Sequence, residues 1–270
     1  MGVNIRGSGD RYELTNGGQV LEELDARHAL MECYPGAVYL SGRRTFLCQG
    51  WAGHRIYTRE AHGVKYHTTP ILRVSIHVEG ETRGTAGSGR LRVETEVTGF
   101  REINPRTRAS LRTKPLKLPP QVMETDGLWL PLPDGVWADR RGLAPALHAA
   151  EHVLAEMLPA VVMADSRDIE GASYTAHADV GKRPVVFLYD NVQGGCGYSG
   201  AAFASLEELL KSAGAAVGRC ECQDGCPRCI QRSRCRSAEG LSKAGAQRVL
   251  HLLMAAYGRR AGRKEAGRGA

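Results

Sequence analysis

Five of the eight cysteines in this 270-residue chain, Cys220, Cys222, Cys226, Cys229 and Cys235, fall within one short stretch, and no other feature limits the fold so strongly. The first four, in CECQDGCPRC, are spaced C-x-C-x3-C-x2-C and present four soft thiolates close enough to wrap one tetrahedral Zn²⁺ at about 2.3 Å per Zn–S bond. Gly225 and Pro227 supply the tight turn that brings a C-x2-C pair to one point. Two other readings of such a run are buried structural cysteines and redox-active C-x-x-C thiols. Cys235, six residues past Cys229, could replace one of the four, but compactness favours the first four. With four thiolates filling the shell, no position is left for a catalytic water, so the expected zinc is structural, one per chain.

Composition narrows the context. The chain is 42% apolar and 24% charged, which excludes a disordered or collagen-like protein and leaves ample length for a core. The opening residues MGVNIRGSGDRYEL lack the apolar core of a signal peptide, so a cytoplasmic, reducing location without membrane attachment is expected, and there cysteines bind metal more readily than they form disulfides. The net charge of +7 is carried by two clusters. In residues 101–117, Arg101, Arg106, Arg108, Arg112, Lys114 and Lys117 stand against Glu102 alone. The other is the Gly/Ala-rich tail from Arg259, expected to be disordered. With arginines beside the cysteines, these make DNA an expected partner, with Arg106, Arg108, Arg112, Lys114, Arg228 and Arg232 as candidate nucleic-acid contacts.

The apolar pattern changes along the chain. AVYL (37–40), RRTFLC (43–48), ILRVSIHVEG (71–80) and RLRVETEV (90–97) alternate as antiparallel strands do. GETRGTAGSG reads as a flexible turn, and PLKLPPQV with the following WLPLPDG as a proline-punctuated connector. Beyond it, LAPALHAAEHVLAEMLP has helical period and is expected to end at Pro159. AVVMAD (160–165) and PVVFLYD (184–190) read as buried strands, while SLEELLKSAGAAV and LSKAGAQRVLHLLMAAY read as amphipathic helices. The expected fold class is α+β: an antiparallel β module over residues 1–140, then a mixed α/β part over 141–258 with a zinc-stapled C-terminal helical segment, and a tail over 259–270.

Three further patterns compete for function. His148, Glu151 and His152 match H-x-x-E-H, the inverzincin arrangement in which two histidines hold zinc and the glutamate is the base. A metallopeptidase would still need a third ligand, for which Glu207 and Glu208 are the candidates. Asp165, Asp168, Glu170 and Asp190 sit at the ends of expected strands, where a hard-metal site is conceivable but local capping hydrogen bonds are the plainer reading. Gly194-Gly195-Cys196-Gly197 resembles an anion cradle no more than it does a tight turn, and Cys196 has no obvious partner as a nucleophile. No G-x-x-x-x-G-K-[ST] pattern occurs, so the chain is expected to be no enzyme itself and its ATP-hydrolysing partner to be another polypeptide.

CECQDGCPRCIQRSRC, read with LYDNVQGGCGYSG upstream and LSKAGAQRVL downstream, resembles the MrfA-type zinc-binding domain that follows the motor of superfamily-two DEAD/DEAH-box helicases. ECYPGAVYL, YHTTP, PLKLPP, LHAAEHVLAEMLP and DSRDIEGAS extend the similarity from about residue 10 to 255. The resemblance implies that Cys220, Cys222, Cys226 and Cys229 bind zinc and that HAAEH belongs to a family helix. It also implies a DNA-dependent helicase context in DNA repair or phage defence. The resulting expectation is an accessory to a helicase-type ATPase core on a separate chain.

Overall fold

A computed structural model of the chain describes residues 11–80, 84–137, 141–233, 235, 237 and 240–258. It divides into two compact units: residues 1–75, 94–122 and 236–238, and residues 76–93, 123–235 and 239–270.

The first unit opens with a hairpin of β1 (Arg11–Asn16) and β2 (Gln19–Asp25). Its two-residue turn is Gly17-Gly18, both at positive φ, as a turn matching the strand twist demands. Asp25 then caps α1 (Ala26–Glu32) by accepting from the His28 amide at 2.8 Å. With β3 (Val38–Ser41), β4 (Arg44–Ala52) and β5 (Arg55–Glu60), the sheet order is β2-β1-β5-β4-β3. Every pairing is antiparallel except β1 with β5, which is parallel. Leu14, Tyr34, Phe46, Ile56, Val97 and Phe100 form its core. Gly36 is required there twice over, by its φ of 90° and because a Cβ would lie 2.7 Å from the Phe100 ring.

Two long strands, β6 (His67–Val78) and β7 (Gly87–Ile103), divide their residues between the units. β8 (Ser110–Pro115) returns antiparallel along the end of β7. In the second unit, β9 (Gln121–Pro131), β10 (Ile169–His177) and β11 (Arg183–Asp190) complete a sheet of order β10-β11-β9-β7-β6. On β10 and β11 packs α2 (Leu143–Val162), which also packs against α4 (Leu206–Gly218) and α5 (Lys243–Tyr257); the short α3 (Tyr198–Ala204) precedes α4. Leu147, Ala150, Val153, Leu154 and Leu158 of α2 are fully or almost fully buried in that layer.

The α+β class and the zinc-bearing helical end are as expected, but three local readings need correcting. Pro159 does not end α2, which runs on through Val162 and closes with Met163 in the left-handed region, so 160–165 is no strand. Lacking an N–H, Pro159 forfeits only its own bond to the Ala155 carbonyl, and the helix continues for the few residues that remain. The supposed connector, PLKLPPQV with WLPLPDG, gives way over residues 121–131 to β9, a central strand: its Pro131 lies at the strand's end, where the missing N–H removes little. The third is β10, which had no signal because its glycine, serine and alanines dilute the apolar alternation. The expected tail lies outside the described residues.

Candidate metal centre

The cysteine cluster begins where α4 stops. Cys220 follows its last turn, and the chain folds back through Gly225, whose φ is 111° and whose added Cβ would fall on Ile230. No other residue type fits both demands. Past the turn, the Cys229 amide donates to the Cys226 carbonyl at 3.0 Å and the Cys226 amide to Cys229 Sγ at 3.3 Å. Ile230, 1% exposed, anchors the loop in the core.

The four sulfurs converge. Cys220 Sγ lies 3.5 Å from both Cys222 Sγ and Cys226 Sγ, Cys222 Sγ is 3.5 Å from Cys229 Sγ, and Cys226 Sγ is 3.8 Å from Cys229 Sγ. A regular ZnS4 tetrahedron with bonds of about 2.3 Å has its sulfurs about 3.8 Å apart, so the cluster has the size of one zinc ion. Chiefly because the Cys222 amide donates to it, the Cys220 thiol is pulled down to about 7, whereas burial pushes Cys229 up to about 11. The two thiols thus start unequal, and a shared metal is what would ionise both.

Lys243, at the start of α5, had no part in the sequence reading. Its buried ammonium donates to the Cys220 carbonyl at 2.5 Å and to the Cys222 carbonyl. Zinc with four thiolates carries a net −2, so a cation bonded to the same loop offsets charge and clamps the loop to α5. The only sequence hint was a lysine in the first turn of an otherwise apolar-faced helix, which is also what a solvated residue looks like.

Cys235 is not part of this cluster; its sulfur lies 3.3 Å from His148 Nε2. In the HAAEH helix the glutamate that an inverzincin uses as its base is engaged elsewhere. Glu151 is buried and faces the Arg232 guanidinium at 3.7 Å, and burial, opposed by Arg232 and reinforced by Glu170, pushes its carboxyl up to about 8. Burial likewise lowers His152 to about 4. Glu207, a supposed third ligand, pairs with Lys211 at 2.6 Å on its own helix.

The candidate nucleic-acid residues separate by environment. Arg106 and Arg108 are exposed at the β7–β8 turn, which Asn104 Oδ1 shapes by accepting from the amides of Arg106 and Thr107, and Arg112 is exposed on β8. Lys114 pairs with the buried Glu102 at 2.6 Å. Arg228 is exposed on the cysteine loop. Arg232 points inward with its side chain only 5% exposed, held by Glu156 at 2.7 Å, Glu170 at 3.4 Å and Glu151. Although burial works against its charge, these carboxylates raise its pKa. It braces the core and offers no guanidinium to a surface. Arg234 and Arg236 lie outside the described residues.

The carboxylates at strand ends are spent locally. Asp190 is fully buried and accepts from the amides of Cys196, Tyr198 and Ser199 and from Ser199 Oγ, fixing the glycine loop before α3. Asp165 accepts from the Arg167 amide and pairs with its guanidinium at 2.9 Å.

Comparison with known proteins places this geometry. Residues 150–230 match the family model of the MrfA Zn-binding domain. The uncharacterized protein MJ1572.1 of Methanocaldococcus jannaschii is 35% identical over 111 residues, which is 40% of this chain and 99% of that protein. The uncharacterized ATP-dependent helicase YprA of Bacillus subtilis is 26% identical over 87% of this chain, which spans only 32% of the helicase's length. A crystal structure of the DUF1998 helicase MrfA bound to DNA shares the fold with a TM-score of 0.63 and 24% identity, covering 91% of this chain and 34% of that one. These matches overturn the expectation of a non-enzyme. The proteins that align with nearly the whole chain are helicases, and the aligned stretch is an integral part of each, so the absence of a P-loop pattern says nothing against helicase-type enzymology. No described helix is long and apolar enough to cross a membrane.

Proposed function

Because this chain belongs to the MrfA Zn-binding domain family, we propose that it is the zinc-stapled portion of an ATP-dependent helicase-type enzyme acting on DNA. The observation that carries this reading is the joint one: alignment of 87% of this chain with 32% of a helicase, and four sulfurs at the spacing of one zinc within the matched segment. In this reading the zinc is held by Cys220, Cys222, Cys226 and Cys229, and keeps the loop between α4 and α5 folded without doing chemistry of its own.

The partners are a helicase-type ATPase core, on the same polypeptide or supplied as a separate chain, and DNA. Arg106, Arg108 and Arg112 are the phosphate contacts, favoured by their exposure at the β7–β8 turn and on the adjoining β8; Arg228 is a fourth, on the cysteine loop. Lys114 contributes less, since Glu102 already engages it, and Arg232 contributes through the fold. DNA repair or phage defence is the setting the family resemblance suggests, and the cytoplasm suits ligation by reduced thiols.

The reading is tested by titrating fluorescent single-stranded and duplex DNA with the chain over a range of salt. Affinity should fall steeply as salt rises, and replacing Arg106, Arg108 and Arg112 with alanine should flatten the log–log slope by roughly two to three. Salt-independent binding, or a triple variant indistinguishable from the parent, would remove the proposed contacts. Addition of an ATPase core of this family should then yield DNA-stimulated ATP hydrolysis that depends on the chain.

A further inference from the structure

The helix α2 and the segment after the cysteine loop bring three more metal-ligating side chains together. His148 and His152, four residues apart on α2, present their rings on one face with centroids 4.4 Å apart. Cys235 approaches from 87 residues away, with its sulfur 3.3 Å from His148 Nε2. One donor atom from each of the three lies within 4.8 Å of the others.

The backing of the two rings fixes what they offer. His148 Nδ1 faces the Gly240 carbonyl at 3.2 Å, and His152 Nδ1 faces the Ile230 carbonyl at 2.7 Å. A carbonyl only accepts, so each neutral ring must carry its proton on Nδ1 and keep its lone pair on Nε2. That is the arrangement of a histidine prepared as a metal ligand, with a backbone carbonyl behind it to set tautomer and orientation. A thiolate and two imidazoles suit zinc and exclude magnesium and calcium, which take oxygen donors. With Zn–N near 2.0–2.1 Å and Zn–S near 2.3 Å, tetrahedral N···S separation is about 3.5 Å, close to what Cys235 and His148 already have.

We propose that His148, His152 and Cys235 form a second zinc site, distinct from the four-cysteine centre and independent of the helicase reading. On binding, the Cys235 thiol gives its proton to solvent and the sulfur bonds the metal, with one water as fourth ligand. Both histidines are almost fully buried and Glu151 is turned to Arg232, so the bound water has no base. The site is a staple. It pins Cys235, which lies in no helix or strand, onto α2.

The test is metal content of the full 270-residue chain by native mass spectrometry after zinc loading. Two zinc ions per chain are expected, with one in Cys235→Ser and two in Cys235→His, where an imidazole replaces the thiolate as ligand. In parallel, iodoacetamide labelling of the unmutated chain, read peptide by peptide, should show Cys235 protected by zinc and released by a chelator, so the answer does not depend on any variant folding. A single zinc in the unmutated chain, a second zinc that persists in Cys235→Ser, or Cys235 labelling that zinc leaves unchanged would each overturn the proposal.

Discussion

A buried lysine is rare unless it is paired, and Lys243 is paired with backbone rather than with a carboxylate. The two carbonyls belong to the metal loop, so Lys243→Met should keep the helix and loosen the loop. We expect a loss of about 1.5–3 kcal/mol, the range for hydrogen bonds to a charged group, seen as a lower melting temperature and faster zinc transfer to a chelator. Glu151 makes the opposite case, a carboxyl whose burial outweighs its partner. Its pKa in the folded chain, about 8, stands above the ordinary 4.5. A raised carboxyl contributes stability that is complete below about 4.5 and is lost as pH rises through about 8. Glu151→Gln, which stays neutral, should therefore lack that decline, and the difference in melting temperature between variant and parent should shift in the variant's favour between pH 5 and 8. A flat difference across that range would mean that Arg232 keeps Glu151 ionised throughout.

Among the elements, α2 carries the second unit because it meets sheet and helices together. Its centre is Leu154, fully buried, and Leu154→Ala should cost about 2–5 kcal/mol in chemical denaturation, as truncation in a close-packed interior does. The cysteine loop is an element of a different kind, set by turn geometry. Gly225→Ala meets both a left-handed φ and Ile230, so about 1–3 kcal/mol of strain is expected, with weaker zinc retention as the readout. Elements with a clean period were legible from the sequence: α4, α5, β11 and the alternating stretches of β6 and β7. Those whose character is conferred by neighbours were not. β9 opens on a polar half, carries Gly127 before a short apolar run and ends on Pro131, and only its place between β11 and β7 makes it a strand.

At the scale of the molecule, the two hydrophobic cores are separate clusters, and the cysteine loop packs on one of them. Removing zinc should accordingly act on that core. With Cys226→Ser, or with a strong chelator, hydrogen exchange is expected to accelerate over residues 219–245 and the adjoining turns of α4 and α5. Amides of β1, β4 and β5 should keep their protection. Uniform loss of protection across both cores would show that the metal holds the whole chain together.

The sequence by itself determined what is local: a four-cysteine metal loop written within ten residues, the amphipathic helices on either side of it, and a strand-rich first part. Spacing of a few residues fixes such features because the backbone's own geometry carries them. Tertiary structure alone decided where the long-range polar groups went. Arg232, which reads as a surface cation, is drawn inward to Glu156 and Glu170 beside the Glu151 carboxyl; Lys243 crosses to the metal loop; Cys235 leaves the cysteine cluster to meet a histidine on α2. Each outcome depends on partners tens of residues away, and a buried charge or donor takes whichever partner the packed core brings within reach.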